Sequence, residues 1–354
     1  MVKYTSPIDP HVHLRWKEYE QPFAQWAFED ARAVGLRAMI EQPNTDPFLT
    51  SDKNISDRME VIDGLRDDII HGIHAGFTPD LKQQREVMDL VDNKRVCSIK
   101  TFYVRSTRSG EIEITDEEDQ REMWKNVVSF GYKGAMIGHF EDGNLFEQDV
   151  SFNFRRPITH SQHQRAIAEE KQVERQLKNA HDAGFEGTFV CLHTSSDRTI
   201  DYLHSIRSKV PFGIVIETTP HHMLLNWDDY DIHGNLLKMN PPLRPRYMQE
   251  GVFERVLAGK TDMIGTDHAP HPYSQKVGDP YKSGIPGIPI WPFFVEALMR
   301  ERISLEGVKR LTFDTANEIY FGGKLKPREV DVEYTPQLWE KYGFNPFSRI
   351  DGTK

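Results

Sequence analysis

The sequence predicts an α/β protein built as a single (β/α)8 TIM-like barrel, on three observations. Eight short apolar runs recur along the 354 residues, amphipathic stretches separate most of them, and polar residues able to ligate a metal sit where several runs end. Strands alternating with helices argue for a parallel sheet, and eight of them argue for a closed one. A barrel opens every strand C-terminus onto one face, so residues far apart in sequence converge there. Histidines scattered through a core would show no bias toward run ends.

The expected strands are Ile8–Leu14, Leu36–Gln42, Ile69–Phe77, Val96–Phe102, Tyr132–Gly138, Thr188–Leu192, Phe212–Thr218 and Asp262–Gly265. Their polar ends are His13, Asn44, Lys100, His139, His193 and Asp267. Helical spacing of apolar residues marks Gln162–Ala183 and Tyr247–Ala258 between them. No internal repeat, low-complexity tract or Gly/Ser linker divides the chain. The expected organisation is a barrel over 1–320 and a C-terminal tail, 321–354, packed on it.

Composition narrows the function. With 38% hydrophobic and 28% charged residues the chain is globular with a large core. A net charge of −10 and no Lys/Arg run argue against nucleic acid as a partner. One well-placed arginine could still receive a small anion. Two cysteines, Cys97 and Cys191, exclude a disulfide framework and suit a reducing compartment. No apolar signal region follows Met1, and no stretch reaches the roughly 20 residues that span a bilayer. The expectation is a cytoplasmic protein without membrane contact.

The chemistry starts at Asp9-Pro10-His11-Val12-His13-Leu14-Arg15. Side chains two apart on a strand share a face, so His11 and His13 present both imidazoles to one side. Neutral imidazole is the commonest zinc ligand. Alone, such a pair is more often a packing coincidence. The second piece is Gly265-Thr266-Asp267-His268-Ala269-Pro270-His271, whose Asp267 could ligate a metal, act as a base, or form an Asx turn before Pro270. Between them lie Lys100 in Ser-Ile-Lys-Thr-Phe, His139 in Ile-Gly-His-Phe-Glu, and His193 in Cys-Leu-His-Thr-Ser. Each alone reads as an ordinary core or surface residue, although a lysine buried in an apolar strand is costly unless paired or modified.

Taken in order, H-x-H, Lys, His, His, Asp resembles the binuclear, metal-dependent hydrolases of the amidohydrolase superfamily. The resemblance implies two divalent ions, with zinc expected; mixed His/carboxylate sets also accept Mn, Co or Fe. It further implies that CO2 carboxylates Lys100. His11, His13, Lys100 and Asp267 would then hold one metal, and Lys100, His139 and His193 the other.

Within the superfamily the chain most resembles the dihydroorotase family. His13-Leu14-Arg15 is similar to its H-L-R, where the arginine grips the substrate carboxylate. Gln42-Pro43-Asn44-Thr45-Asp46-Pro47 is similar to M-P-N-T-x-P, with Asn44 a second carboxylate contact. Asn240-Pro241-Pro242-Leu243-Arg244 resembles N-P-P-L-R, with Asn240 near the ring amide. Asp267 to His271 matches D-H-A-P-H, in which His271 also meets the carboxylate. The stretch Gly284-Ile285-Pro286-Gly287 resembles the loop whose backbone reads the ring, which implicates Pro286 and Gly287. Lys341 to Phe347 resembles a tail motif whose role is packing.

Three departures stand beside these matches. Hydantoinase-type relatives carry a catalytic tyrosine where this chain has Arg105, although Tyr103 is close. Only ten residues precede His11, so the N-terminal half of the family's usual small β-sandwich is expected to be missing. The loop after Arg15 reads Trp16-Lys17-Glu18-Tyr19 instead of E-P-G.

The resemblance implies a dihydroorotase of de novo pyrimidine biosynthesis, a reversible hydrolase of the cyclic amide of (S)-dihydroorotate to N-carbamoyl-L-aspartate. Asp267 would be its general acid/base. The partner is then this small-molecule substrate, in a homodimer, with association with aspartate transcarbamoylase a further expectation. Two rivals remain: a hydantoinase-, dihydropyrimidinase- or allantoinase-type amidohydrolase, and a non-catalytic dihydroorotase-like partner of aspartate transcarbamoylase.

Overall fold

The computed structural model describes residues 2–16, 19–105 and 110–353. Of the loop after Arg15, Lys17 and Glu18 thus lie outside the described residues. Among the described residues, ten strands are present: β1 Val2–Thr5, β2 Ile8–Val12, β3 Ala38–Glu41, β4 Ile70–Gly76, β5 Ser98–Phe102, β6 Ala135–His139, β7 Thr188–Cys191, β8 Gly213–Thr218, β9 Met263–Ile264 and β10 Glu329–Val332. Strands β2 to β9 form one parallel sheet in sequence order, the arrangement of a (β/α)8 barrel.

Seven of the eight expected runs contain their strand, the fifth overlaps its own, and the edges move. The first run stops at Val12, and the last shrinks to Met263–Ile264. The fifth starts late because the Tyr132 hydroxyl turns back to donate to the Ala135 carbonyl at 2.9 Å; it then runs on to include His139. The helix expected over Gln162–Ala183 is two helices, Thr159–His163 and Ala166–Ala183. The break falls where Arg165 is extended (ψ 152°) and where the Arg244 guanidinium takes the Gln164 carbonyl. Among the connecting helices, Ser51, Asp80 and Asp116 each cap an N-terminus by accepting first-turn N–H groups.

Strand alternation separates two cores. Ile8, Ala38, Ile40, Ala135, Ile137, Val190, Leu192 and Met263 cluster with Phe313, Ala316 and Tyr320 of the segment 310–321. These strand residues point inward, and the C-terminal helix plugs the barrel beneath them. Their neighbours Met39, Ile99, Met136, Phe189 and Cys191 point outward against the helices.

Barrel closure joins the first and last strands of the sheet. Val12 bridges His268, and the His13 N–H donates to the His268 carbonyl at 2.7 Å. Buried Asp9 accepts from the Thr266 N–H (3.0 Å), the Thr266 hydroxyl (2.5 Å) and the Trp291 indole (3.1 Å). In place of a sandwich, β1 and β10 pair antiparallel as a two-stranded ribbon. The tail packs through buried Trp339, Tyr342 and Phe347, and the Tyr342 hydroxyl donates to Asp30 at 2.6 Å. Among the described residues, no helix is long and apolar enough to cross a membrane.

Candidate active site

At the C-terminal mouth of the barrel a cleft of about 380 Å³, its solvent opening included, is walled by His11, His13, Lys100, His139, His193 and Asp267. Arg15, Asn44, Asn240, Ser283 and Gly284 complete much of the wall. Residues up to 273 positions apart, His11 and Gly284, thus share one site. Three of them hold left-handed backbone: Arg15 (φ 46°), His193 (φ 36°) and Asp267 (φ 49°). That conformation costs an L-residue about 1 kcal/mol or more. Here it ends a strand and swings the side chain over the mouth.

The donor atoms converge. Asp267 Oδ1 lies 3.0 Å from His13 Nε2 and 3.3 Å from His11 Nε2, and candidate ligand atoms of these three residues all fall within 4.8 Å of one another. His139 Nδ1 and His193 Nε2 face each other at 3.0 Å. Burial keeps the His11, His13 and His193 rings neutral: it pushes His11 down to about 3 and drives His13 and His193 well below the usual histidine range. Neutral imidazoles offer lone pairs, so this set of buried nitrogens around a carboxylate fits divalent ions. Burial also pulls the Lys100 ammonium down to about 7, although Glu217 and Asp267 favour its charged form. The same burial pushes the Asp267 carboxyl up, with the positive potential of the site opposing it.

Two carboxylates not anticipated from the sequence stand behind the histidines. Glu217, at the end of β8, accepts from His11 Nδ1 at 2.7 Å and from the His193 N–H at 3.2 Å. Glu141 lies 2.8 Å from His139 Nε2. Each fixes a tautomer and leaves the other ring nitrogen facing the cleft, the usual service of an outer carboxylate to a metal-binding histidine. In the sequence Glu217 shows only as a lone charged residue near the end of the apolar run Phe212–Thr218, with no spacing that ties it to His11.

The other expected contacts divide. Arg15 and Asn44 reach the cleft together, with the Arg15 guanidinium 3.5 Å from the Asn44 carbonyl oxygen. His271 is buried behind Arg15 rather than on the wall. It donates from Nε2 to the Ser283 carbonyl at 2.8 Å and accepts at Nδ1 from Tyr19 at 2.7 Å. Asn240 lies at the cleft with Oδ1 2.8 Å from His160 Nε2. Of the loop carrying Pro286 and Gly287, the wall takes Ser283 and Gly284. A Cβ at Gly284 (φ 130°) would meet the Ala269 carbonyl at 2.5 Å, so glycine is required there. Pro286 is buried, and the Gly287 N–H turns to His268 Nδ1 at 3.1 Å. Tyr103 is buried with its ring stacked on Phe140 and its hydroxyl bonded to Thr101, so it does not replace the tyrosine of the hydantoinase pattern.

No family model matches the sequence. The chain is 29% identical over 322 residues to a dihydroorotase of Halobacterium salinarum, covering 88% of this chain and 71% of the relative. It is 29% identical over 323 residues to a dihydroorotase of Methanosphaera stadtmanae (88% and 70% covered). To one of Lactobacillus leichmannii it is 34% identical over 278 residues (78% and 62%). The fold matches an L-hydantoinase (dihydropyrimidinase) from Arthrobacter aurescens with TM-score 0.76 at 18% identity, covering 90% of this chain and 71% of that one. It matches a dihydroorotase from Campylobacter jejuni with TM-score 0.68 at 18% identity (92% and 86%). With relatives of one name aligned along most of its length, on a barrel of matching fold, the chain is similar to dihydroorotases.

Proposed function

We propose that the protein is a dihydroorotase, hydrolysing the ring amide of (S)-dihydroorotate to N-carbamoyl-L-aspartate and catalysing the reverse closure. The observation that carries this reading is the guanidinium of Arg15 in the same cleft as the His/Lys/Asp cluster. A metal site alone suits many hydrolases; a fork for a carboxylate beside it suits a cyclic amide that bears one.

His11, His13 and Asp267 would hold one divalent ion and His139 and His193 a second, with Lys100 shared as its carbamate. Zinc is the expected occupant. When bound, the pair supplies Lewis-acid polarisation of the scissile carbonyl and acidifies water for attack near neutral pH. Lys100 is suited to its modification because burial frees a neutral amine, which adds to CO2 with loss of one proton.

Asp267 takes the proton of the attacking water as the new C–O bond forms. It returns that proton to the ring nitrogen as the C–N bond breaks. Burial raises its proton affinity and so suits it to both halves of the transfer. Arg15 and Asn44 hold the carboxylate and thereby set the carbonyl at attack distance. His271 braces Arg15 from behind, while Asn240 and the loop 283–287 read the ring edge. In solution we expect a homodimer.

The purified protein, offered dihydroorotate, hydantoin, dihydrouracil and allantoin, should turn over dihydroorotate with by far the highest kcat/KM. Preference for hydantoin or dihydrouracil would replace this reading with the hydantoinase-type one. Failure on all four despite bound metal would favour the non-catalytic scaffold.

A further inference from the structure

Lys276, in the short helix Tyr273–Val277, is fully buried, and among the described residues the charge that acts on it is that of Lys238. Its Nζ donates to three backbone carbonyls: Gly284 at 2.7 Å, Lys238 at 2.8 Å and Lys282 at 3.0 Å. Three oxygen acceptors require three N–H donors, so this geometry selects the ammonium over the neutral amine. Burial opposes that charge, and nearby Lys238 opposes it further.

The three carbonyls belong to two segments of the cleft wall. Lys238 lies two residues before Asn240, and Lys282 and Gly284 flank Ser283. The segments are also joined directly, by the Gly284 N–H to the Lys238 carbonyl (2.9 Å) and by Lys238 Nζ to the Ser283 hydroxyl (2.8 Å). From the other side His271 reaches the Ser283 carbonyl. Lys276 therefore sits where Asn240, the Ser283–Gly284 turn and the brace of Arg15 meet.

We infer that Lys276 is a positioning residue for the carboxylate-bearing ring: its ammonium pins segments 238–240 and 282–284 into one wall and gives that wall a positive charge balanced by the bound substrate anion. This rests on the dihydroorotase reading for the identity of the anion. An apolar side chain of similar length would fill the space but remove the three hydrogen bonds to the Lys238, Lys282 and Gly284 carbonyls, and the ammonium charge with them. The effect falls on substrate binding, since Lys276 is not among the groups that move protons.

The test is steady-state kinetics of wild type, Lys276→Met and Lys238→Met with dihydroorotate, alongside calorimetric binding of orotate, a planar pyrimidine carboxylate. Lys276→Met should raise KM about tenfold or more with kcat within about threefold of wild type, and weaken orotate by a similar factor. Lys238→Met, which cuts the bond to the Ser283 hydroxyl and the cation–π contact with Phe152 but leaves the Lys276 bonds in place, should raise KM roughly two- to threefold. A folded Lys276→Met with wild-type KM and orotate affinity overturns the inference, as does loss confined to kcat. Should Lys276→Met fail to fold, Lys238→Met decides, and an unchanged KM there overturns it. Wild type that binds orotate but does not turn over dihydroorotate refutes the hydrolase reading instead, and loss of orotate binding in Lys276→Met would still support the role of Lys276.

Discussion

Glu41 ends β3 one residue before Gln42-Pro43-Asn44, and it is fully buried with Arg58. The pair is bidentate, at 2.6 and 2.8 Å, and His71 Nε2 approaches the same carboxylate at 3.3 Å. Burial alone would raise the Glu41 carboxyl, but the Arg58 charge and the hydrogen bonds from Arg58 and His71 outweigh it and bring it from 4.5 down to about 2. At about 1.4 kcal/mol per pH unit, that depression is worth about 3 kcal/mol at neutral pH. Both groups are buried, so no solvent discount applies. Glu41→Gln removes the charge and leaves Arg58 buried without its counter-ion, an imbalance that costs about 3–5 kcal/mol in comparable pairs. With an unfolding entropy of about 2.1 cal/mol/K per residue over the 354 residues, a loss of about 3 kcal/mol lowers Tm by about 4 °C. The pH dependence has a definite sign. A carboxyl depressed in the folded state stabilises above its unfolded pKa, and that contribution fades as pH falls from about 4.5 to about 2. Melting of wild type and Glu41→Gln should therefore differ by about 4 °C at pH 7 and converge near pH 2 to 3, with the double variant Glu41→Leu/Arg58→Met regaining most of the loss. A single variant melting within about 1 °C of wild type at pH 7 would refute the reasoning.

Arg15→Lys should raise the KM for dihydroorotate about tenfold or more with little change in kcat, because an ammonium cannot reproduce a bidentate fork; steady-state kinetics decide it. Asp267→Ala should lower kcat by about 10²- to 10⁴-fold while elemental analysis still finds metal on the remaining histidines, and full activity would end its assignment as proton carrier. Glu217→Ala should weaken metal binding about 10- to 100-fold, since His11 loses the acceptor that fixes its tautomer; titration of the metal-free protein against a chromophoric chelator measures this.

The barrel was legible because its signal is repetitive. Eight apolar runs survive small errors at their edges, and His11, His13, Lys100, His139, His193 and Asp267 all fall at or beside run ends that open on one face. What sequence could not supply were contacts without a local pattern. Glu217 meets His11 from 206 positions away, and a single glutamate closing an apolar run has no spacing partner to announce it. Glu141 was visible beside His139, yet only the fold turns it onto that ring. Run edges failed where apolar character outlasts the hydrogen-bond ladder, as between Val12 and Leu14. His271 was assigned to the carboxylate by motif, but its hydrogen bonds to Tyr19 and Ser283 place it one layer behind Arg15. Lys276 carries no pattern at all, because its partners are backbone oxygens rather than side chains.

The seam between β2 and β9 has a consequence for how the protein comes into being. His11 precedes Asp267 by 256 residues and Asp9 precedes Thr266 by 257, so the two sides of the seam are made at different times. A nascent chain carrying His11 and His13 lacks the carboxylate of their cluster until the segment after β9 is made. Asp9 then clasps Thr266, and in the same act Asp267 swings over the two imidazoles. Were an ion held at this half of the site, its capture would report that synthesis had passed Asp267: a ribosome-stalled or truncated product ending before it would present two lone histidines.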